Sequence, residues 1–132
     1  QINIGLIRRK AGNLEASEQA LRLATERNPR SALAWTELGV GLRMLGRFAD
    51  ARGAYERAIE VDAVYAPAYR NLAVVLDLYL DDPVAALAAM EKYRELAPDD
   101  KPAAGWVAEL KQRVGRNAPP AAAPPAAPGA TP

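Results

Sequence analysis

The chain has 132 residues, half of them hydrophobic, and its 17 Lys and Arg against 16 Asp and Glu leave a net charge of +1. That length supports one domain with a modest continuous core, and so balanced a charge gives no global reason to bind nucleic acid or an anionic membrane. Cys and His are both absent, which removes disulfides, thiol nucleophiles, imidazole acid–base chemistry and the usual zinc ligands together.

Gln1–Lys10 reads as the remainder of a helix, followed by a turn at Gly12-Asn13, where Gly supplies left-handed backbone and Asn caps the next helix. Leu14–Arg27 is predicted as a second helix with Leu14, Ser17, Leu21 and Ala24 on one face, ended at Asn28-Pro29 because the residue before Pro is pushed out of the helical region. A longer unit then runs Ala32–Leu45, a Gly46-Arg47 turn, and Phe48–Val61. The next begins at Ala66 and turns at Leu80-Asp81-Asp82-Pro83, one residue longer than its counterpart, with Asp82 as N-cap and Pro83 as first helical residue. A seventh helix is expected from about Lys101–Ala103 to Val114, closed by Gly115, with Trp106, Val107, Leu110 and Val114 in one apolar stripe and Glu109, Lys111 and Arg113 facing water. Asn117–Pro132 holds six Pro and seven Ala and no charged side chain, a composition that buries no core and samples polyproline II.

The units are copies of one another. Ala32–Tyr65 recurs at Ala66–Asp100 and, truncated at its start, at Gln1–Ser31, so that Ile4 and Gly5 stand 34 residues before Leu38 and Gly39. Tyr69, Leu72, Ala73 and Leu76 repeat Trp35, Leu38, Gly39 and Leu42. The pattern Trp35, Leu38, Gly39, Leu42, then Ala51 and Tyr55, with Ala63 where a proline would fall, resembles the tetratricopeptide repeat family. The resemblance covers residues 1–114. It implies an all-α right-handed superhelix of about three helix-turn-helix repeats (1–31, 32–65 and 66–100), a capping helix at 101–115 and a disordered tail at 116–132. It also implies that Gly39 meets Ala51 and Ala58 where two helices approach closely. Tyr93 falls where Ala24 and Ala58 sit, so its ring is expected to turn outward or widen the packing. The chain opens inside a repeat, without an initiator Met, as a piece of a longer protein is expected to do.

Little in the sequence points to catalysis. Asp81-Asp82 and Asp99-Asp100 each precede a predicted helix start, where carboxylates accept backbone N–H groups and suit the helix dipole. No phosphate loop, G-x-S-x-G, G-x-G-x-x-G or EF-hand spacing occurs, and Glu56 and Glu60 beside Arg52 and Arg57 form an ordinary solvated face. No stretch approaches the roughly 20 apolar residues of a membrane helix. No cofactor, no metal and no enzymatic role are expected.

The resemblance instead implies a non-catalytic scaffold whose first helices line a concave groove for a peptide or a helix of a partner protein. The reading preferred is a bacterial assembly factor or accessory subunit of a larger complex, because Arg outnumbers Lys 13 to 4; a periplasmic or envelope location is preferred over the cytoplasm. The alternative is a helical-repeat RNA-binding protein, disfavoured by the balanced charge. Carried over by register, the ligand-facing residues are Ile2, Leu6 and Arg9; Leu33, Thr36, Val40 and Arg43; and Arg70, Val74 and Asp77. Some members of the family clamp a C-terminal carboxylate with Lys and Asn; Val40 and Val74 stand where such a clamp needs polar groups, and only Asn71 and Arg70 hint at one. The expected groove is an apolar floor of Leu6, Val40 and Val74 edged by Arg9, Arg43 and Arg70, suited to an amphipathic helix or extended segment with some acidic residues. One extra feature, Pro125-x-x-Pro128, is read as a spacer rather than a ligand, since no basic residue flanks it.

Overall fold

The structure, a computed structural model, describes residues 1–117; the expectations for the Pro/Ala-rich stretch, including Pro125 and Pro128, lie outside the described residues. Seven helices succeed one another: α1 (Ile2–Lys10), α2 (Leu14–Arg27), α3 (Ala32–Met44), α4 (Phe48–Val61), α5 (Ala66–Leu78), α6 (Pro83–Leu96) and α7 (Lys101–Asn117). Among the described residues there is no strand.

Local chemistry sets the boundaries. Asn13 Oδ1 accepts the Ala16 N–H at 3.2 Å, Ser31 Oγ the Ala34 N–H at 3.1 Å, Asp82 Oδ1 the Ala85 N–H at 3.1 Å and Asp100 Oδ1 the Ala103 N–H at 3.3 Å. Each satisfies an amide that the first turn leaves without a partner. Between α1 and α2 and between α3 and α4 the chain reverses through Gly12 (φ 86°) and Gly46 (φ 78°). In the third turn Asp81 takes the left-handed conformation instead, at φ 50°. The expected stop at Gly115 is not observed, because that residue is not left-handed and α7 runs on to Asn117.

Within each pair, the two helices meet where a side chain is missing. A methyl on Gly5 would stand 2.6 Å from Leu21 Cγ, and one on Gly39 would stand 2.7 Å from Tyr55 Cδ1. Gly39 therefore makes room for the Tyr55 ring, and Ala51 and Ala58, the small residues expected at this approach, are both fully buried. One core runs through the stack, built on Leu21, Leu38, Leu42, Tyr55, Leu76, Met90 and Leu110. The position-four aromatics also tie each repeat to the loop before it: Trp35 Nε1 donates to the Pro29 carbonyl at 2.8 Å, and the Tyr69 hydroxyl to the Ala63 carbonyl at 2.7 Å. Tyr93 turns its ring to the edge of the core and donates its hydroxyl to Asp100 Oδ2 at 2.5 Å.

The order of contacts gives the stack its curvature. The first helices touch one another, α1 against α3 and α3 against α5, while among the described residues α2 makes no close backbone approach to α4, nor α4 to α6. A cleft of about 290 Å³ opens between α4 and α6 on that outer side, floored by Leu72 and Leu76. Helices that crowd on one side and splay on the other bend the solenoid, with α1, α3 and α5 on the inner face.

Candidate functional site

The inner face is a row of first helices in identical register. Leu6 on α1, Val40 on α3 and Val74 on α5 stand 34 residues apart, and all three are half-buried. Leu33, at the start of α3, is 44% exposed, whereas Thr36 one turn later is 2% exposed. The apolar floor is thus flanked by one open side chain and one hydroxyl sunk beneath it. Ile2 packs against the core, as does the inner side of Val40.

The charged residues expected at the edge divide into engaged and free. Arg9 reaches from α1 to α3, where it donates to Glu37 Oε2 at 2.8 Å and to the Glu37 backbone carbonyl at 2.8 Å. Both side chains are mostly covered, at 16% and 22% exposure, so the pair staples the first repeat to the second. Asp77 is engaged more deeply: its side chain is 5% exposed, Arg113 Nη1 lies 2.6 Å from its Oδ1, and Trp106 Nε1 donates to its Oδ2 at 2.8 Å. Asp77 therefore faces α7, not an open groove. Arg113 does not face water as its place on α7 suggests; it folds inward, held above the ordinary arginine pKa chiefly by its hydrogen bond with Asp77. Arg70 is exposed, and its charge acts on Tyr93 and Asp100 at the junction of α6 and α7.

Arg43 is the exception. It is half-buried and, among the described residues, has no ion pair, with Nε shielded from solvent and without a partner. Its guanidinium acts on the hydroxyl of Tyr55, a fully buried residue. Burial pushes the Tyr55 pKa up, and the neighbouring Arg43 guanidinium pulls the other way, as does the Arg9 charge beyond it. Thr36, Val40 and Arg43 succeed one another at spacings of four and three and share one face of α3.

Sequence reasoning missed three members of this site: Glu37, the Tyr55 hydroxyl, and the Trp106–Arg113 pair on α7. The seven-residue spacing of Trp106 and Arg113 was the available signal for the last, since it puts both on one face of a helix. Nothing in the groove suits a metal: among the described residues no group of three or more Asp, Glu, Cys or His side chains could hold one. Nor is any described helix long and apolar enough to cross a membrane.

Comparison with known proteins gives this geometry its context. A Tetratricopeptide repeat profile matches residues 2–60 and again 41–101. The probable UDP-N-acetylglucosamine–peptide N-acetylglucosaminyltransferase SPINDLY of Hordeum vulgare is 35% identical over 95 residues, which is 67% of this chain and 10% of that protein. The chain therefore spans about a tenth of that relative. Among solved structures, the first repeat domain of Spaghetti (RPAP3), bound to the HSP90 peptide SRMEEVD, superposes with a TM-score of 0.80 at 18% identity, covering 86% of this chain and 90% of that one. MamA superposes at 0.79 with 25% identity, over 86% of this chain and 66% of that one. The profile match extends over residues 2–101, well beyond half of the sequence, and the chain belongs to the tetratricopeptide repeat family.

Proposed function

We propose that this domain is a non-catalytic protein-interaction scaffold that takes an apolar segment of a partner protein along α1, α3 and α5. The observation that carries the reading is the row Leu6, Val40 and Val74: three apolar side chains in register, left half-exposed on the inner face of a curved stack. A row of apolar side chains across successive helices suits repeated apolar anchors on an extended segment or an amphipathic helix. The neighbour that holds an HSP90 peptide is a fold-level precedent for occupancy of such a stack. An Arg-rich, Lys-poor composition supports a bacterial source, and within it the role of an assembly factor or accessory subunit of a larger complex.

The test is a double substitution, Val40→Asp with Val74→Asp, followed by crosslinking and mass spectrometry of complexes captured from native cells. Loss of the specific partner with a melting temperature close to wild type supports the groove. Unfolding of the double variant means that both valines are core and that the partner surface lies elsewhere.

A further inference from the structure

The edge of the stack that carries the turns within repeats grows more apolar toward the C-terminal end. In register at 34-residue intervals, the residues that close α1, α3 and α5 are Lys10-Ala11, Met44-Leu45 and Leu78-Tyr79. Tyr79, the residue that caps α5, lays its ring on that of Phe48, the first residue of α4, with centroids 4.1 Å apart and planes within 8° of each other. Phe48 packs inward on the core and anchors the stack, while Tyr79 stays 46% exposed. Leu78 and Val84, on either side of the third turn, are each 64% exposed, and Met44 is 44% exposed. None of these five side chains is charged. So many large apolar side chains left open along one edge mark a contact surface.

The course of α7 says what reaches that surface. Arg113 Nη1 lies 2.6 Å from the carboxylate of Asp77, the residue just before Leu78. The last turns of α7 therefore end beside this edge, and Ala118 follows Arg113 by little more than one turn. We propose that the Pro/Ala stretch Ala118–Pro132 folds back over the edge and seats proline rings on the open face of Tyr79 and on Leu78 beside it. Reach allows it: packed helices stand about 10 Å apart, so the patch begins within about 20 Å of α7, whereas fifteen residues in polyproline II span about 45 Å. The chemistry matches too, since aromatic faces take proline-rich segments whose rings have little freedom left to lose. At three residues per turn, Pro119, Ala122, Pro125 and Pro128 share one face of such a segment. Pro125-x-x-Pro128 lacks the basic flank that an acidic groove would ask for, but an uncharged patch asks for none. The proposal stands apart from the inner groove and does not depend on it.

The chain has no Cys, so Ala126→Cys gives the full chain a single point for a nitroxide label, off the proline face. In isotope-labelled protein the expected result is loss of amide signal at Phe48, Leu78 and Tyr79, with Ile4 and Leu14 at the far end of the stack unaffected. Pro119→Ala, Pro125→Ala and Pro128→Ala made together keep the length and charge of the segment and should restore the lost signals. Tyr79→Leu keeps an apolar side chain but removes the ring face, and should restore the signals of Phe48 and Leu78. Losses that survive the triple substitution and Tyr79→Leu, losses spread evenly over the seven helices, or no loss at all overturn the proposal. A mixture of nitroxide-bearing chains without isotope and isotope-labelled chains without nitroxide separates the two sources of the segment. No loss in that mixture supports docking within one chain; loss there assigns the patch to the segment of a second copy and overturns it.

Discussion

Trp106 donates its indole N–H to the Asp77 carboxylate at 2.8 Å, and in doing so ties α7, which packs against the second helix of the last repeat, to its first helix as well. Read as one more apolar stripe against a hydrophobic face, α7 would bring Trp106 against the second helix. Leu110 and Val107 do fill that role, at 0% and 3% exposure. Trp106, half-buried, packs against the same core and adds the hydrogen bond to Asp77. With Arg113 it closes over an acid that a solvated groove would have left open.

Replacing Trp106 by Ala is therefore expected to loosen α7 without destroying the repeats. The half-buried ring limits the cost to about 2–3 kcal/mol, below that of a fully buried Trp. Trp106→Phe keeps most of the apolar surface and removes only the donation to Asp77. Amide hydrogen exchange should report the change in α7, with α2 and α3 unaffected. Unchanged protection across 101–117 in both variants would mean that the Asp77 contact does not hold the helix.

Gly39 gives a sharper test of packing, because the same chain contains its control. Ala is the better helix former by about 1 kcal/mol, and at Gly53 a methyl would meet nothing within 4 Å. Gly53→Ala should accordingly stabilise by roughly 0.5–1 kcal/mol. At Gly39 the methyl meets the buried Tyr55 ring, with Cδ1 at 2.7 Å and Cζ at 2.9 Å, and a fully buried ring has little room to withdraw. Gly39→Ala should lose about 1–3 kcal/mol despite its propensity gain. Urea denaturation of the two variants distinguishes them by sign.

Asp81 sits at φ 50°, where the other two repeats place glycine. A side chain in left-handed backbone costs free energy that Gly avoids, although Asp tolerates it better than most. Asp81→Gly is expected to raise stability by about 0.5–1 kcal/mol, and Gly46→Asp to lower it by a similar amount. Equal melting temperatures for wild type and Asp81→Gly would indicate that the aspartate recovers the cost through a contact of its own.

The Tyr93–Asp100 hydrogen bond carries a pH signature. Donation from Tyr93 is the main reason the Asp100 pKa falls below its ordinary value, and the same bond is the main reason the Tyr93 pKa rises. A depressed carboxylate stabilises the fold above the unfolded pKa of about 4 and loses that contribution as pH falls through the folded value. A raised phenol stabilises below about pH 10 and loses its contribution as pH rises further. Wild type should exceed Tyr93→Phe in melting temperature by a constant margin between these limits, and the margin should shrink at both ends. A margin that persists at alkaline pH would rule out the phenolic hydrogen as its source.

Much of this architecture was legible because each signal was local or periodic. The helix starts at Asn13, Asp82 and Asp100 come from side chains that cap their own turn, and the 34-residue recurrence fixes which face of each helix is buried. What escaped was long-range and polar. Arg9 with Glu37, and Asp77 with Trp106 and Arg113, join residues 28 and 29 or more positions apart, and no spacing rule within one helix can announce such a partner. The groove residues were placed on the correct helices by register, but register does not say whether a charge is free. Arg9, Arg43, Arg70 and Asp77 look equivalent in sequence and stand in four different environments.

Register makes one more prediction possible. Trp35 and Tyr69 occupy the fourth position of their repeats and donate to the preceding loop; 34 residues before Trp35 stands Gln1. At that place the structure has an open cavity of about 430 Å³, lined by Gln1, Ile2, Ala24, Arg27 and Leu33. Ala24 is the counterpart of Ala58, which packs in the cluster beneath Trp35. The cavity lies where register places a position-four aromatic, with Gln1 in its lining. Gln1→Trp should seat an indole there and stabilise the chain by about 0.5–2 kcal/mol, as filling a cavity does when no backbone must move. Gln1→Lys, equally long but without a ring, should leave stability near wild type. The two thermal midpoints decide the matter: a Trp variant no more stable than the Lys variant would show that Gln1 does not point into the socket.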